Sequence, residues 1–298
     1  MVVTWRGRHL IGSCLDALAH QTRPHQVLVV DNASTDGTAE QIARHGVAVL
    51  RMHRNTGYAG ALAAAMPLVR TPYMAWLNDD TQPSPGWLAA LEDALDADQE
   101  AAAAASVLHA ADGTVRSTGV ALTHRGYGAD TTGMTPFGFC GGAALLRTDL
   151  LRAAGGVPAG LFCYYEDTDT SWRLRLAGYR VLAVPGARVR HTGGASAQHG
   201  SAAFHRWNER NRLLVLLRCA PARVAATELA RFAGLTLLLP VRRDAPAAPN
   251  FTVALRVRVL AEVATHLPAT LLARSRISRR ATVNRSTVWS EWAGRAGC

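Results

Sequence analysis

The stretch His25 to Thr38, HQVLVVDNASTDGT, decides the fold. Residues 26–30 form a buried-type strand that stops at Asp31. Residues 32–37 are turn and cap chemistry, and they open a helix over residues 38–44. The same alternation runs outward on both sides. Upstream, a short apolar run at residues 2–5 precedes Leu10, Ile11, Cys14, Leu15 and Leu18 at helical spacing. Downstream, strands over residues 47–52 and 73–77 alternate with helices over 57–69 and 86–97. Strands alternating with short helices predict an α/β fold, with a parallel sheet covered on both faces. In such sheets ligands bind beyond the carboxyl ends of the strands, so Asp31, Asp79 and Asp80, all at strand ends, are expected on one rim.

Beyond residue 110 the pattern loosens. Asp112-Gly113, Gly126 to Gly128 and Thr131 to Pro136 read as turns and a loop, and residues 137–146 as a glycine-containing strand. A helix over 170–177, a strand over 179–184 and a loop from His191 through Gly193-Gly194 follow. Thr168 or Asp169 is expected to cap that helix, leaving Glu166 and Asp167 free. From residue 204 the chain turns helical and rich in Leu, Ala and Arg. The apolar runs at 213–217 and 235–239 fall short of the ~20 residues of a membrane span. Residues 251–277 fit either an amphipathic surface helix or a helix packed on the body.

The bulk numbers bound the reading. The 298 residues suffice for one large domain plus an appendage, and a hydrophobic content of 49% excludes disorder. Five scattered cysteines without a CxxC pair fit a reduced, cytoplasmic compartment, and no signal peptide is expected at the N-terminus. No lysine occurs. Residues 1–203 hold 16 arginines against 17 acids, a net of −1, whereas residues 204–298 hold 16 arginines against 5 acids, a net of +11. A basic end on a near-neutral body points to an anionic partner, either a lipid surface or nucleic acid. A membrane surface is the favoured partner, because no basic–aromatic RNA motif or helix-turn-helix pattern occurs.

Three groups of residues can carry chemistry, and each has a plainer reading. Asp79 and Asp80 follow a strand, where hard divalent cations find oxygen ligands, but Asp-Asp before PSPG is also ordinary turn chemistry. Glu166 and Asp167 suit a general base, or simply the charge favoured in a first helical turn. His191 suits a metal ligand, or is one surface histidine among eleven.

Their order is more specific than any one of them. VVDNASTDGT, RNTGYAGA, LNDDTQPSPGW, GGAALLR, YYEDTDTSWRLRLAGYRV and RHTGGAS occur in unbroken sequence over roughly residues 1–215. This series resembles the family 2 glycosyltransferases of the GT-A fold, closest to their rhamnosyltransferase-like branch, and RWNERN at 206–211 also looks like that branch. The resemblance implies a GT-A type Rossmann-like mixed sheet flanked by helices over 1–203, with a nucleotide-sugar half to about 100 and an acceptor half after it. Residues 204–298 would then be a basic helical extension.

By the same resemblance Thr4 and Asp31 would lie against the base and ribose, with Arg54 and Asn55 on the loop toward the diphosphate and Gly57 allowing close contact. Asn78-Asp79-Asp80 corresponds to the DxD motif, with Asp79 near the ribose and Asp80 on the metal, which His191 would complete. Asp167 matches the expected catalytic base with Glu166 beside it, raising its pKa by like-charge proximity. Trp172 and Arg173 would border the acceptor. Thr4-Trp5-Arg6 departs from the family's Thr-Tyr-Asn, replacing a small polar side chain with Arg6.

The implied reaction is inverting transfer of a sugar, with rhamnose first, from a thymidine or uridine diphosphate donor to a glycan, lipid-linked or small-molecule hydroxyl. It would require Mn²⁺ or Mg²⁺ and take place in the cytoplasm, at the inner face of the plasma membrane. A sugar-phosphate nucleotidyltransferase is the rival enzyme class, although Arg6-Gly-Arg8 is too short to cradle a triphosphate. A non-enzymatic anion binder built on the arginine-rich end is the other.

Overall fold

The computed structural model describes residues 1–192, 200–242, 244 and 246–294. The first half follows the alternation closely: β1 (Val2–Thr4), α1 (Ile11–Ala19), β2 (Leu28–Asp31), α2 (Thr38–Ala43), β3 (Ala48–Arg51), α3 (Gly57–Ala65), β4 (Tyr73–Asn78), β5 (Thr81–Pro83) and α4 (Trp87–Ala97). Next come β6 (Ala101–His109), β7 (Val115–Ser117), the hairpin β8 (Gly119–Leu122) and β9 (Gly128–Thr131), β10 (Ala143–Arg147), α5 (Thr148–Ala153), α6 (Glu166–Leu176) and β11 (Arg180–His191). Four long elements end the chain: α7 (Ala202–Cys219), α8 (Ala222–Leu238), α9 (Val253–Arg280) and α10 (Arg285–Trp292).

The main sheet runs β3-β2-β1-β4-β10-β6-β11-β5, with β7 paired to β6. Its first four strands are parallel, as the alternation predicts, but β10 runs antiparallel to both neighbours, so the sheet is mixed. Strand order reverses beside β1, and the carboxyl ends of β1, β2 and β4 open a crevice there. Because β6 runs antiparallel to β10 and β11 parallel to β6, β11 ends on the same rim.

Three departures from the sequence reading have physical causes. The glycine strand begins only at Ala143, because Gly138 bridges to Val120 and any Cβ there would overlap the Ser171 side chain. The strand expected to end at Val184 continues to His191, its Pro185-Gly186 pair being absorbed as an irregularity between Ala183 and Arg188. β6 opens on five alanines, weak strand formers by propensity, yet it is paired on both edges, with β10 and β11, and buried on both faces.

Apolar cores cover each face of the sheet, one built on Trp87 and Leu91, the other on Trp76 and Phe139. A third core joins α6 to the C-terminal helices through Trp172, Leu214, Phe232, Val259 and Val288. Trp172 is 0% exposed and stacks on Trp289 at 5.9 Å, and Arg173 is 4% exposed. Both are therefore core residues, and neither lines the cleft, so the expectation that they border an acceptor finds no support in their placement. α6 also starts earlier than expected, at Glu166, with Tyr165 as its cap and no side-chain cap bond. Asp169 serves packing instead: its carboxylate accepts Arg173 Nε and Arg218 Nε, each at 2.6 Å, tying α6 to α7. Burial alone would push this carboxyl up, but the two guanidiniums, Arg218 first, hold it below the usual range.

Replacing Asp169 with Asn leaves the buried Arg173 and the half-buried Arg218 without their counter-charge. Urea denaturation of Asp169→Asn should show a loss of about 3–5 kcal/mol; an unchanged midpoint would mean that the pair does not hold α6 to α7.

Candidate active site

The crevice is a cavity of about 520 Å³ at the switch point of the sheet. Asp31 ends β2, and its Oδ1 accepts the Ser34 amide at 2.9 Å. Its buried Oδ2 has no hydrogen-bond partner, and Arg51 Nε stands 3.6 Å away. Next to it Asn32 donates to Asn55 Oδ1 at 2.9 Å and to the Gly57 carbonyl at 3.1 Å, which fixes the entry to α3. Gly57 has φ +74°, and a Cβ there would overlap the Phe162 carbonyl. The close approach it permits is to this backbone. Arg54 is exposed and outside the cavity lining, whereas Asn55 lines it.

Thr4 is buried, and its hydroxyl donates to Asp79 Oδ2 at 2.5 Å, so it anchors a carboxylate at the end of β4. Burial pushes the Asp79 carboxyl up to about 7, opposed by the Thr4 hydroxyl and assisted by Asp80. Trp5 lines the cavity, and Arg6 stacks on its ring at 5.2 Å. Asn78, Asp79 and Asp80 all face the cavity.

β5 pairs with β11 in a register that sets His191 opposite Thr81, beside Asp80. Nε2 of His191 is consequently 3.1 Å from Asp80 Oδ1. The Thr192 amide and hydroxyl both donate to the Asp80 carbonyl, clamping the tip. Gly193 and Gly194 lie outside the described residues. Among the described residues no group of three His, Cys, Asp or Glu side chains gathers to hold a metal. The protein thus offers a carboxylate and an imidazole, a donor set that suits a small hard cation taking its remaining oxygens from phosphate and water.

Glu166 and Asp167 form the opposite wall. Three non-glycine residues before them, Phe162, Tyr164 and Tyr165, sit at φ +67°, +68° and +70°. Such a backbone persists only when its surroundings hold it. Asn211 of α7 does so: its amide nitrogen donates to the carbonyls of Leu161, Cys163 and Tyr164 at 2.8–2.9 Å. Asp167 Oδ2 accepts the Gly141 amide at 2.9 Å, and Oδ1 accepts the amide and hydroxyl of Thr168. Tyr58 in turn donates to the Gly141 carbonyl at 2.6 Å.

The two carboxyls divide the electrostatics unevenly. Burial, then repulsion from Asp167, pushes Glu166 up to about 8, and its Oε2 has no partner. Burial raises Asp167 as well, but its three donors favour the anion. The repulsion expected to act on Asp167 therefore falls mainly on Glu166, which holds its proton near neutrality, while burial raises Asp167 against the pull of its donors.

Residues that sequence reasoning missed complete the cleft: Tyr58, Asp130 and Cys140, together with Phe204, Trp207 and Asn208 of α7. RWNERN was a signal for the last pair. Phe162 packs on Trp207 at 5.0 Å between ring centres and Tyr164 on Phe204 at 5.2 Å, forming an aromatic wall.

Residues 1–155 match the model of "Glycosyl transferase family 2", just over half of the chain. The chain belongs to glycosyl transferase family 2. It is a glycosyltransferase with GT-A architecture. A relative of known activity, the N-acetylglucosaminyl-diphospho-decaprenol L-rhamnosyltransferase of Mycobacterium tuberculosis, is 28% identical over 225 residues, covering 62% of this chain and 73% of the relative. Among solved structures, GalNAc-T7 with UDP, GalNAc and Mn²⁺ superposes with a TM-score of 0.62 at 14% identity, covering 90% of this chain and 56% of that one. The mannosyltransferase PcManGT of Pyrobaculum calidifontis, in complex with GDP-Man and Mn²⁺, gives 0.57 at 19% identity over 98% and 86%. Staphylococcus aureus TarS with UDP-GlcNAc gives 0.54 at 18% identity over 97% and 89%. At these identities the structures speak for the fold alone. In this family 2 chain Glu166, Asp167 and His191 lie beyond the matched segment, so their assembly rests on the geometry described above.

Glu166 titrates from 4.5 in the unfolded chain to about 8 in the fold, so the fold favours its neutral form. The stability this contributes is complete below about pH 4.5 and is lost as pH rises through 8. Glu166→Gln is neutral throughout. Thermal melts should therefore show the variant gaining on the wild type between pH 5 and 8; parallel curves would contradict a buried, protonated Glu166.

Proposed function

We propose that this enzyme transfers a sugar from a nucleoside diphosphate to an acceptor hydroxyl with inversion at the anomeric carbon, and that Asp167 is the base. The observation that carries this reading is one cavity shared by Asp167, whose carboxyl accepts three hydrogen bonds, and the Asp80–His191 pair. In-line displacement needs a proton acceptor on one side of the anomeric carbon and charge neutralisation on the other. Asp167 takes the acceptor proton, a role worth typically about 10²–10⁴-fold. Glu166, protonated beside it, keeps a second negative charge away from the base and has an unpaired oxygen to offer an acceptor hydroxyl.

On the donor side, Asp31 has an unsatisfied buried oxygen at the mouth of the switch point, suited to an N–H of the base. Asn55, positioned by Asn32, and the face of Trp5 bound the same end. Asp79, anchored by Thr4, orients the ribose. Asp80 and His191 would hold a divalent cation, Mn²⁺ or Mg²⁺, which when bound neutralises the diphosphate. The Mn²⁺ in two of the similar structures supports this assignment.

The donor we favour is an L-rhamnose carried on thymidine diphosphate, followed by UDP-linked sugars, and the acceptor a lipid-linked saccharide. The L-rhamnosyltransferase activity of the mycobacterial relative on N-acetylglucosaminyl-diphospho-decaprenol supports the rhamnose and the lipid-linked acceptor. The acceptor's sugar ring would lie on the wall of Phe162, Tyr164, Phe204 and Trp207, since aromatic faces match the apolar faces of pyranoses.

Three variants test this scheme against a panel of nucleotide sugars. Asp167→Asn should bind donor within a few-fold of wild type and lose at least about 10² in turnover; retained turnover removes Asp167 as the base. Asp80→Ala should abolish the stimulation of donor hydrolysis by Mn²⁺ or Mg²⁺, and metal dependence identical to wild type would rule out the ligand role. Trp207→Ala should raise KM for the acceptor more than for the donor; the reverse would move the acceptor elsewhere.

A further inference from the structure

α9 is apolar on two faces: Val259, Val263 and Ile277 are buried against the body, and a second apolar stripe is turned outward. Its 28 residues span about 42 Å. The face turned to the body carries its polar bonds. Arg256 is buried and donates to Thr236 Oγ1 and the Phe232 carbonyl, Glu262 pairs with Arg206 and Arg210, and Arg274 donates to the carbonyls of Leu217 and Ala220. Toward solvent, Val253, Val257, Ala261, Ala264, Leu271 and Leu272 are all exposed, Leu272 at 60%, with Arg258 and Thr265 between them and a polar, basic last turn after them. A helix on a soluble surface ordinarily turns polar residues to solvent.

The stripe continues onto the end of α8. Arg256 fastens that end to the first turns of α9, and beyond the anchor Leu237 is 80% exposed, Leu238 56% and Val241 76%. Contrary to the sequence reading, Ala222–Val241 is a 20-residue segment long and apolar enough to cross a membrane by length and composition. Yet it is tied down along its course, with Glu228 bound to Arg212, Arg125 and Arg231, so it lies along the protein. The exposed charges beside this surface are mostly basic: Arg276, Arg279 and Arg280 at the end of α9, with Arg242 beside exposed Asp244 and Arg258 paired to Glu262. Glu262 is the single acid in α9 and is turned inward to Arg206 and Arg210.

We propose that the outer face of α9 and the tip of α8 form a docking surface for an anionic phospholipid bilayer. The apolar stripe enters the headgroup boundary and the flanking arginines meet lipid phosphates. Charge selects this occupant over a second copy of the chain, because self-association through the same face would set arginine against arginine. The arginines of α7 play no part: Arg206, Arg210, Arg212 and Arg218 are engaged within the protein. α7 lies between α9 and the cleft and contributes Phe204 and Trp207 to the cleft wall, so docking would hold the acceptor side of the site close to the lipid surface.

The inference does not depend on the sugar-transfer reading, since docking is measured without donor or acceptor. Flotation of the full chain with vesicles of phosphatidylglycerol and phosphatidylcholine should carry the protein upward, while pure phosphatidylcholine and high salt should leave most of it below. Leu271→Glu with Leu272→Glu, and separately Arg276→Glu with Arg279→Glu, should each cut partitioning at least about tenfold while melting temperature holds. Wild-type protein that stays down with anionic vesicles overturns the proposal. So do variants that float like wild type, or a concentration-dependent dimer in sedimentation that Leu271→Glu with Leu272→Glu dissolves.

Discussion

The amide of Asn211 holds three carbonyls of a backbone that would otherwise relax, and the catalytic end of the cleft depends on it. Phe162, Tyr164 and Tyr165 occupy the left-handed region at a cost of about 1–3 kcal/mol each. That run turns the chain sharply into α6, so that Glu166 and Asp167 occupy its first turn facing the crevice. Gly57 is the counterpart from the donor side: its missing Cβ lets α3 meet the Phe162 carbonyl. The helices after residue 202 thus take part in building the site, through Asn211 on one side of the loop and Phe204 and Trp207 on the other.

The sheet supplies the remaining geometry by direction alone. Parallel β1, β2 and β4 deliver Thr4, Asp31 and Asn78 to one rim, and the antiparallel β5–β11 pair brings His191 back to Asp80. Burial then acts on three acids of the cleft. It pushes Asp79 up to about 7 against the Thr4 hydroxyl and Glu166 up to about 8 without a partner, and raises Asp167 against its three donors. One cleft consequently holds two adjacent carboxyls in unequal surroundings, one without a partner and one with three donors.

Much of this was legible in the residues. Strand tips ending in Asp31 and Asp79-Asp80 follow from apolar runs closed by turn chemistry, and the ordered motifs gathered Asp167 and His191 to them. Trp172 and Arg173 were misread because nearness in sequence is not direction: five residues along a helix is a turn of about 140° from Asp167, which faces the core. β6 was illegible because five alanines have no period, and only pairing on both edges makes them a strand. The partners of the left-handed run were hidden too, since an Asn some fifty residues downstream carries no local signal.

The account's central claim is direct displacement by a hydroxyl that Asp167 deprotonates, with no sugar held on the enzyme between donor and acceptor. The anomeric configuration of the product, read by proton NMR against that of the consumed nucleotide sugar, tests it most directly. Inversion is the predicted result; a product that retains the donor's configuration would contradict the account.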